Sequence, residues 1–463
     1  MNLDAHLSLA ERHPHDFTVQ YPPRREYVVD HFRAPGEVPR LLGDLARAPR
    51  LLLYVHVPFC EARCSYCNFA VDTRPTPVRQ ARYVRALVKA LGRLGEHVRP
   101  DVEVPGIDIG GGTPTLLEAP LLRELLSALH PWAAKATSPW PLSIETTPAV
   151  AASSPEVLNV LVEGGVQRVS VGVQSTQGKV LEAVRRQAQV DQGDRALSNL
   201  RRAGFRRVNA DLIFGLPGQL PEHFAADVAR VADAGVDSVT TYDCLYRGKG
   251  RALTRAASHL PTPGEYSRLY DAAWEALAAR GFHAPYGSLN FSRHPGETGT
   301  SPYFEGRLLD GLPYVGVGNY ASTLCGGRWG FAPYAADAWV EQVEAGTFLP
   351  LQDLYALPLS EQVAKQVLLS LSFGRLDPAR FLRAHGVALE QACGPALARA
   401  QEEGWLVEQA GEWRLSPGRF DVLPRLRALF YPAEAIRWLE AQGPSVRPVT
   451  SAGRARMPPA APR

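Results

Sequence analysis

Three cysteines stand within eight residues, in Cys60-Glu-Ala-Arg-Cys64-Ser-Tyr-Cys67. Thiolates at i, i+4 and i+7 can converge on one small inorganic object. A tetrahedral zinc site normally takes four N or S ligands, and no fourth cysteine lies nearby. Three thiolates on a four-iron cluster would leave one iron open to a substrate or cofactor. A zinc site with a distant fourth ligand, or three unrelated buried thiols, stays open beside that reading. The other cysteines, Cys244, Cys325 and Cys393, are scattered and read as small buried hydrophobes. So few cysteines in so long a chain fit a reducing compartment.

The segments around this loop say what positions it. Short apolar runs at Leu51–Val57, Gly106–Gly110, Leu142–Thr146, Arg168–Val173, Arg207–Phe214 and Ser238–Tyr242 read as strands. Between them lie stretches with apolar residues at helical spacing, each closed near a Gly or Pro. Six β-then-α units imply a parallel sheet. The runs are nearly continuous in apolar residues, as expected when both faces of a sheet are covered. An open doubly wound sheet and an incomplete barrel both suit six units, and either collects chemistry at the carboxyl ends of the strands. The three cysteines follow the first strand directly.

The chain has 463 residues, 45% hydrophobic and 21% charged, which is ordinary globular composition. Its net charge of +3 gives no case for nucleic acid as a partner. No stretch approaches the ~20 apolar residues of a spanning helix, and the first residues lack a signal-peptide apolar core. A cytoplasmic protein without membrane insertion is the expectation. All but five of the 50 basic residues are arginines, a compositional bias unless single positions show otherwise. Residues 1–45 read as a leader wrapping the barrel, 46–290 as the barrel, and 291–355 as a linker with a Gly-rich segment. Residues 356–442 read as a helical, winged-helix-like module ending in the hairpin WLVEQAGEWRLS, and 443–463 as a disordered tail.

Cys-x-x-x-Cys-x-aromatic-Cys, with Tyr66 in the aromatic slot, resembles the radical S-adenosylmethionine signature. The string Tyr54-Val-His-Val-Pro-Phe-Cys60 is similar to the oxygen-independent coproporphyrinogen III oxidase family and its relatives. So are Gly110-Gly-Gly-Thr-Pro114, Ile144-Glu145, Val171-Gly-Val-Gln174 and Asp211-Leu-Ile-Phe-Gly-Leu-Pro217. The resemblance runs over about residues 50–440. It implies a partial (β/α)6 TIM-like barrel with a C-terminal helical domain, an α/β fold. It implies a [4Fe–4S] cluster on Cys60, Cys64 and Cys67, and S-adenosylmethionine on the open iron, cleaved to methionine and a 5′-deoxyadenosyl radical. Around that cofactor it places Tyr54, Tyr66, Gly111, Gly112, Thr113, Glu145, Gln174, Asp211 and an arginine of Val184-Arg-Arg-Gln187, taken as Arg185 with Arg186 one residue off. Glycines at Gly110–Gly112 would let backbone approach a ligand and offer N–H groups. His56 reads as a core or supporting residue. The implied partners are a small-molecule substrate and a low-potential electron donor such as flavodoxin or ferredoxin.

The reaction is read by elimination. The family's oxidases carry a further cysteine two residues after the third, and here that residue is Phe69. Its haem chaperones carry His-Asn-x-x-Tyr-Trp, and here Gly299–Arg307 reads GTSPYFEGR. The relatives left methylate or cyclopropanate an sp² carbon with a second S-adenosylmethionine, near the position of Gly316-Val-Gly-Asn-Tyr-Ala-Ser322. Porphyrin oxidation and haem transfer are the alternatives.

Overall fold

The computed structural model describes residues 2–18, 21–186, 190–246, 253, 256, 257 and 259–444. The tail read as disordered lies almost wholly outside the described residues.

Six parallel strands form the centre. They are β1 (Leu52–Val57), β2 (Ile107–Gly111), β3 (Leu142–Thr146), β4 (Arg168–Gln174), β5 (Arg207–Phe214) and β6 (Ser238–Asp243). They lie side by side in chain order. A doubly wound sheet needs a reversal of strand order, and this one has none. Right-handed crossovers without a reversal put every helix on the same face, which curls the sheet into part of a barrel. The connecting helices stack in the same sequence. The helix Pro77–His97 packs on Ala119–Ala133, and that on Pro155–Glu163. Pro148–Ser153 packs on Val190–Ala203, and Pro221–Asp233 on Pro263–Ala278.

Each end of the six is extended instead of closed. Antiparallel β7 (Asn290–Ser292) borders β6, and parallel β8 (Tyr314–Val317) borders β1. Strands β9 (Ser322–Cys325), β10 (Arg328–Phe331) and β11 (Asp353–Ala356) continue from β8 as an antiparallel meander. The segment expected to be a linker therefore contributes five strands to the sheet. Its strands are only three or four residues long, too short to show a period.

The central strands are also less uniform than expected. One face holds Val55, Ile109, Ile144, Val169, Ala210 and Val239, all buried. The other carries registered polar rows. Tyr54, Asp108, Ser143 and Arg168 lie abreast, then Glu145, Ser170, Asn209 and Ser238, then Gly172, Asp211 and Thr240. These side chains are mostly buried yet bonded to one another, so the concave wall is polar. A buried polar group is tolerated when its bonds are made. Ser170 donates to Asp211 at 2.8 Å, and Asn209 donates to both Ser170 and Asp211.

The helices Leu359–Ser370, Pro378–His385 and Leu389–Glu402 lead into the hairpin of β13 (Leu406–Gln409) and β14 (Glu412–Leu415). Its turn is Ala410-Gly411, both in the left-handed region. A short strand, β12 (Arg375–Leu376), pairs with β14. This is the winged-helix-like arrangement. N-terminal residues bond to it: Tyr21 and Tyr27 both donate to the buried Glu361, and Arg427 donates to the carbonyls of Phe17 and Thr18. Among the described residues no helix is long and apolar enough to cross a membrane.

Candidate active site

The cysteine loop leaves the carboxyl end of β1 and returns to it. Cys60 N–H bonds Asp72 O at 3.0 Å, Asp72 N–H bonds Pro58 O at 2.8 Å, and Cys67 N–H bonds Cys64 O at 3.1 Å. His56 clamps the loop's far end. Its Nε2 donates to Ala70 O at 3.0 Å, while the Tyr54 hydroxyl approaches Nδ1 at 3.3 Å. That network assigns the tautomer. Burial pushes the imidazole down to about 4, so the clamp is neutral. His56 is thus a supporting residue.

All three loop thiols are partly exposed, and none of the six cysteines forms a disulfide. Donors stand beside their sulfurs. Thr113 Oγ1 lies 3.6 Å from Cys60 Sγ, and Arg186 Nη1 donates to Cys64 Sγ at 3.5 Å. Burial pushes the Cys60 thiol up to about 11, so binding a metal group there must expel a proton. Among the described residues no three His, Cys, Asp or Glu side chains converge on a point one ion could fill. Thiolates serving separate irons of one cluster need no such point. Three thiolates with a guanidinium and a hydroxyl turned to sulfur fit an anionic iron–sulfur group.

Of the two arginines, Arg186 faces the cysteines. Its Nη2 also donates to Gly172 O at 2.7 Å. Arg185 is exposed and sits in the left-handed region at φ 55°; of the two positions left open for the expected arginine, Arg186 is the one that touches a loop sulfur. Burial works against the Arg186 charge, but Tyr66 and Cys64 outweigh it and raise its pKa. Tyr66 has its hydroxyl toward Cys64 and packs against Val180, Val184, Ile213, Leu216 and Cys244.

The glycines at the end of β2 are needed for close approach, but to the chain itself. A Cβ on Gly111 would lie 2.7 Å from the His56 ring, and one on Gly112 would lie 2.5 Å from Pro58 O. Their N–H groups are also engaged. Gly111 N–H bonds Glu145 at 3.2 Å, Gly112 N–H bonds Val57 O, and Thr113 N–H bonds Phe59 O. The expectation of free N–H donors here is corrected: β1 and its loop use them.

Glu145 and Asp211 face each other across the polar wall. Burial, with Asp211 adding repulsion, pushes Glu145 up to about 8. Burial likewise raises Asp211 to about 6, against the bond from Ser170. Two such carboxylates, partly exposed, form an acceptor pair suited to hydroxyls or to a cation. Gln174 ends β4 at a bulge with φ 70°. Tyr54 packs against Tyr303, centroids 5.8 Å apart. Gly316 pairs with Tyr54, and Gly318 lies against His56, so the Gly-rich segment flanks the cysteine-bearing strand. Tyr242, at the carboxyl end of β6 and 43% exposed, also opens onto this wall. Sequence reasoning passed over it, although alternation along β6 puts it on the face of Thr240.

Residues 54–231 match the radical SAM superfamily. The haem chaperone HemW of Bacillus subtilis is 24% identical over 358 residues, covering 76% of this chain and 91% of the relative. An oxygen-independent coproporphyrinogen III oxidase of Pseudomonas aeruginosa is 32% identical over 235 residues, about half of each chain. The solved structure of coproporphyrinogen III oxidase HemN of Escherichia coli superposes with a TM-score of 0.70 at 22% identity, covering 86% of this chain and 94% of its own. That likeness is one of fold.

Proposed function

Because the chain belongs to the radical S-adenosylmethionine superfamily, in the coproporphyrinogen III oxidase and haem chaperone group, and works with a [4Fe–4S] cluster and S-adenosylmethionine, we propose that it is a radical enzyme acting on a tetrapyrrole. The observation that carries the reading is the shared ligand chemistry of its relatives. The one aligned over 91% of its length is named for haem, and the one 32% identical for coproporphyrinogen. Both are tetrapyrroles. The superfamily match supports the radical chemistry, and the two named relatives support this substrate class better than methyl transfer.

When bound, the cluster and S-adenosylmethionine supply a 5′-deoxyadenosyl radical. The chain's own residues do the rest. Cys60, Cys64 and Cys67 hold the iron. Arg186 neutralises thiolate charge and would meet a carboxylate of the cofactor, a bidentate partner for which a guanidinium is shaped. Glu145, once ionised, accepts from ribose hydroxyls, with Asp211 and Gln174 beside it. Tyr54 and Tyr66 wall the site. Gly111, Gly112 and Thr113 hold β2 tight against the cysteine loop. A low-potential donor such as flavodoxin or ferredoxin brings the electron, in the cytoplasm.

A second reading keeps one observation. Phe69 occupies the position of the oxidases' further cysteine and is 52% exposed. That substitution favours methyl transfer to an sp² carbon from a second S-adenosylmethionine near Gly316–Ser322. Anaerobic incubation with coproporphyrinogen III, dithionite and S-adenosylmethionine separates the readings. A decarboxylated tetrapyrrole formed with 5′-deoxyadenosine supports the first. S-adenosylhomocysteine formed with a methylated tetrapyrrole that keeps its carboxylates supports the second. Haem retained through gel filtration without deoxyadenosine would make the protein a carrier.

A further inference from the structure

Asp227 lies on the helix Pro221–Asp233, which follows β5, and it is fully buried. Buried carboxylates are ordinarily paired with a cation, yet no ion pair of Asp227 occurs among the described residues. Its acceptors are filled from three consecutive residues. Ser175 Oγ donates at 2.7 Å, Thr176 N–H at 2.8 Å, Thr176 Oγ1 at 2.6 Å and Gln177 Nε2 at 3.2 Å.

Those three residues follow Gln174 directly, where β4 bulges and a non-glycine residue is held in the left-handed region. Such a conformation persists only where its surroundings over-determine it. Beyond them the chain makes the short helix Gly178–Ala183 and reaches the cysteine loop twice. Val184 O accepts from Ser65 N–H at 3.0 Å, and Arg186 reaches Cys64. One carboxylate, about 50 residues further along the chain, thus anchors the segment that presents both Gln174 and Arg186.

We propose that Asp227 is a positioning residue, pinning the β4 exit so that Gln174 and Arg186 meet S-adenosylmethionine at the cysteine loop. This rests on the reading that those two residues face the cofactor. Four donors need an acceptor with several lone pairs, and only a carboxylate supplies them at one point.

The experiment compares Asp227→Ala, Asp227→Asn and Val228→Ala in anaerobically reconstituted protein. Val228 is a buried apolar neighbour and controls for simple destabilisation. Asp227→Ala is expected to weaken S-adenosylmethionine binding by about 10- to 100-fold with cluster iron retained, the usual effect of losing a supporting partner. Asp227→Asn keeps one acceptor oxygen and is expected to lose about threefold. Val228→Ala is expected to melt earlier and bind normally. Hydrogen exchange without S-adenosylmethionine is the second readout: amides of residues 175–186 should exchange faster in Asp227→Ala and unchanged in Val228→Ala. Unchanged exchange overturns the proposal. So does faster exchange with normal binding, if Arg186→Ala binds poorly. If Arg186→Ala and Gln174→Ala also bind normally, the reading of those two residues fails and the proposal falls with it, although the pin itself stands.

Discussion

Arg186 holds the cysteine loop and the β4 strand in one grip: Nη1 lies 3.5 Å from Cys64 Sγ while Nη2 donates to Gly172 O at 2.7 Å. Arg185, its neighbour, points to solvent. Replacing Arg186 with alanine removes a charge-assisted bond to sulfur and leaves Gly172 O without its donor. Cofactor cleavage should fall about 10- to 100-fold, measured as deoxyadenosine released. Arg185→Ala should stay within about twofold, because surface substitutions away from such features change little.

The cysteines should separate cleanly by iron content. Alanine at Cys60, Cys64 or Cys67 removes a ligand, and the reconstituted protein should lose most of its ~4 irons. Serine at Cys244, Cys325 or Cys393 should leave iron and sulfide unchanged. The check is iron and sulfide analysis with the absorption band of the cluster.

Gly112→Ala tests the tight join between β2 and the cysteine loop. The new Cβ would lie 2.5 Å from Pro58 O and 2.6 Å from Phe59 O. Both are backbone atoms just before Cys60, so the loop itself must move. Overpacking of this kind costs about 1–3 kcal/mol. A thermal melt should show that loss, and cluster loading should drop with it, whereas Gly178→Ala, with open space around it, should do neither.

Glu145 gives the cofactor-free protein a pH dependence. Burial raises its pKa from the ordinary 4.5 to about 8. The folded state therefore favours the protonated acid. The resulting stability is fully present below pH 4.5 and is lost progressively as pH rises toward 8. Allowing for solvent at a partly open site, Glu145→Gln should gain on the order of 1–2 kcal/mol over wild type at pH 8 and nothing near pH 4. Denaturant melts across that range read it. The same substitution should weaken S-adenosylmethionine binding at pH 8, since a carboxamide is a poorer acceptor for ribose hydroxyls.

Much of this was legible before any coordinates. The six central strands are found within one residue of their expected ends, because each is a short run rich in apolar or β-branched residues set off by stretches of helical spacing. The strand order followed only from the structure, and it decides between an open doubly wound sheet and a part-barrel. The polar wall was harder to read. Tyr54, Asp108, Glu145 and Asp211 stand in runs read mainly for their apolar residues, and only the register gathers them on one face. Arg186, and not Arg185, turns to the cysteines because Arg185 takes a positive φ just after a short helix, a one-residue phase that periodicity cannot carry. Asp227 left no local signal at all: its four bonds cross about 50 residues of chain.

The central claim is that Cys60, Cys64 and Cys67 carry a cluster at which S-adenosylmethionine is reductively cleaved. The most direct measurement is anaerobic reconstitution, followed by dithionite and S-adenosylmethionine, with both cleavage products quantified. The account predicts 5′-deoxyadenosine and methionine in equal amounts, abolished by alanine at any of the three cysteines. A fully loaded, reducible cluster that yields no deoxyadenosine, with or without a tetrapyrrole present, would contradict it.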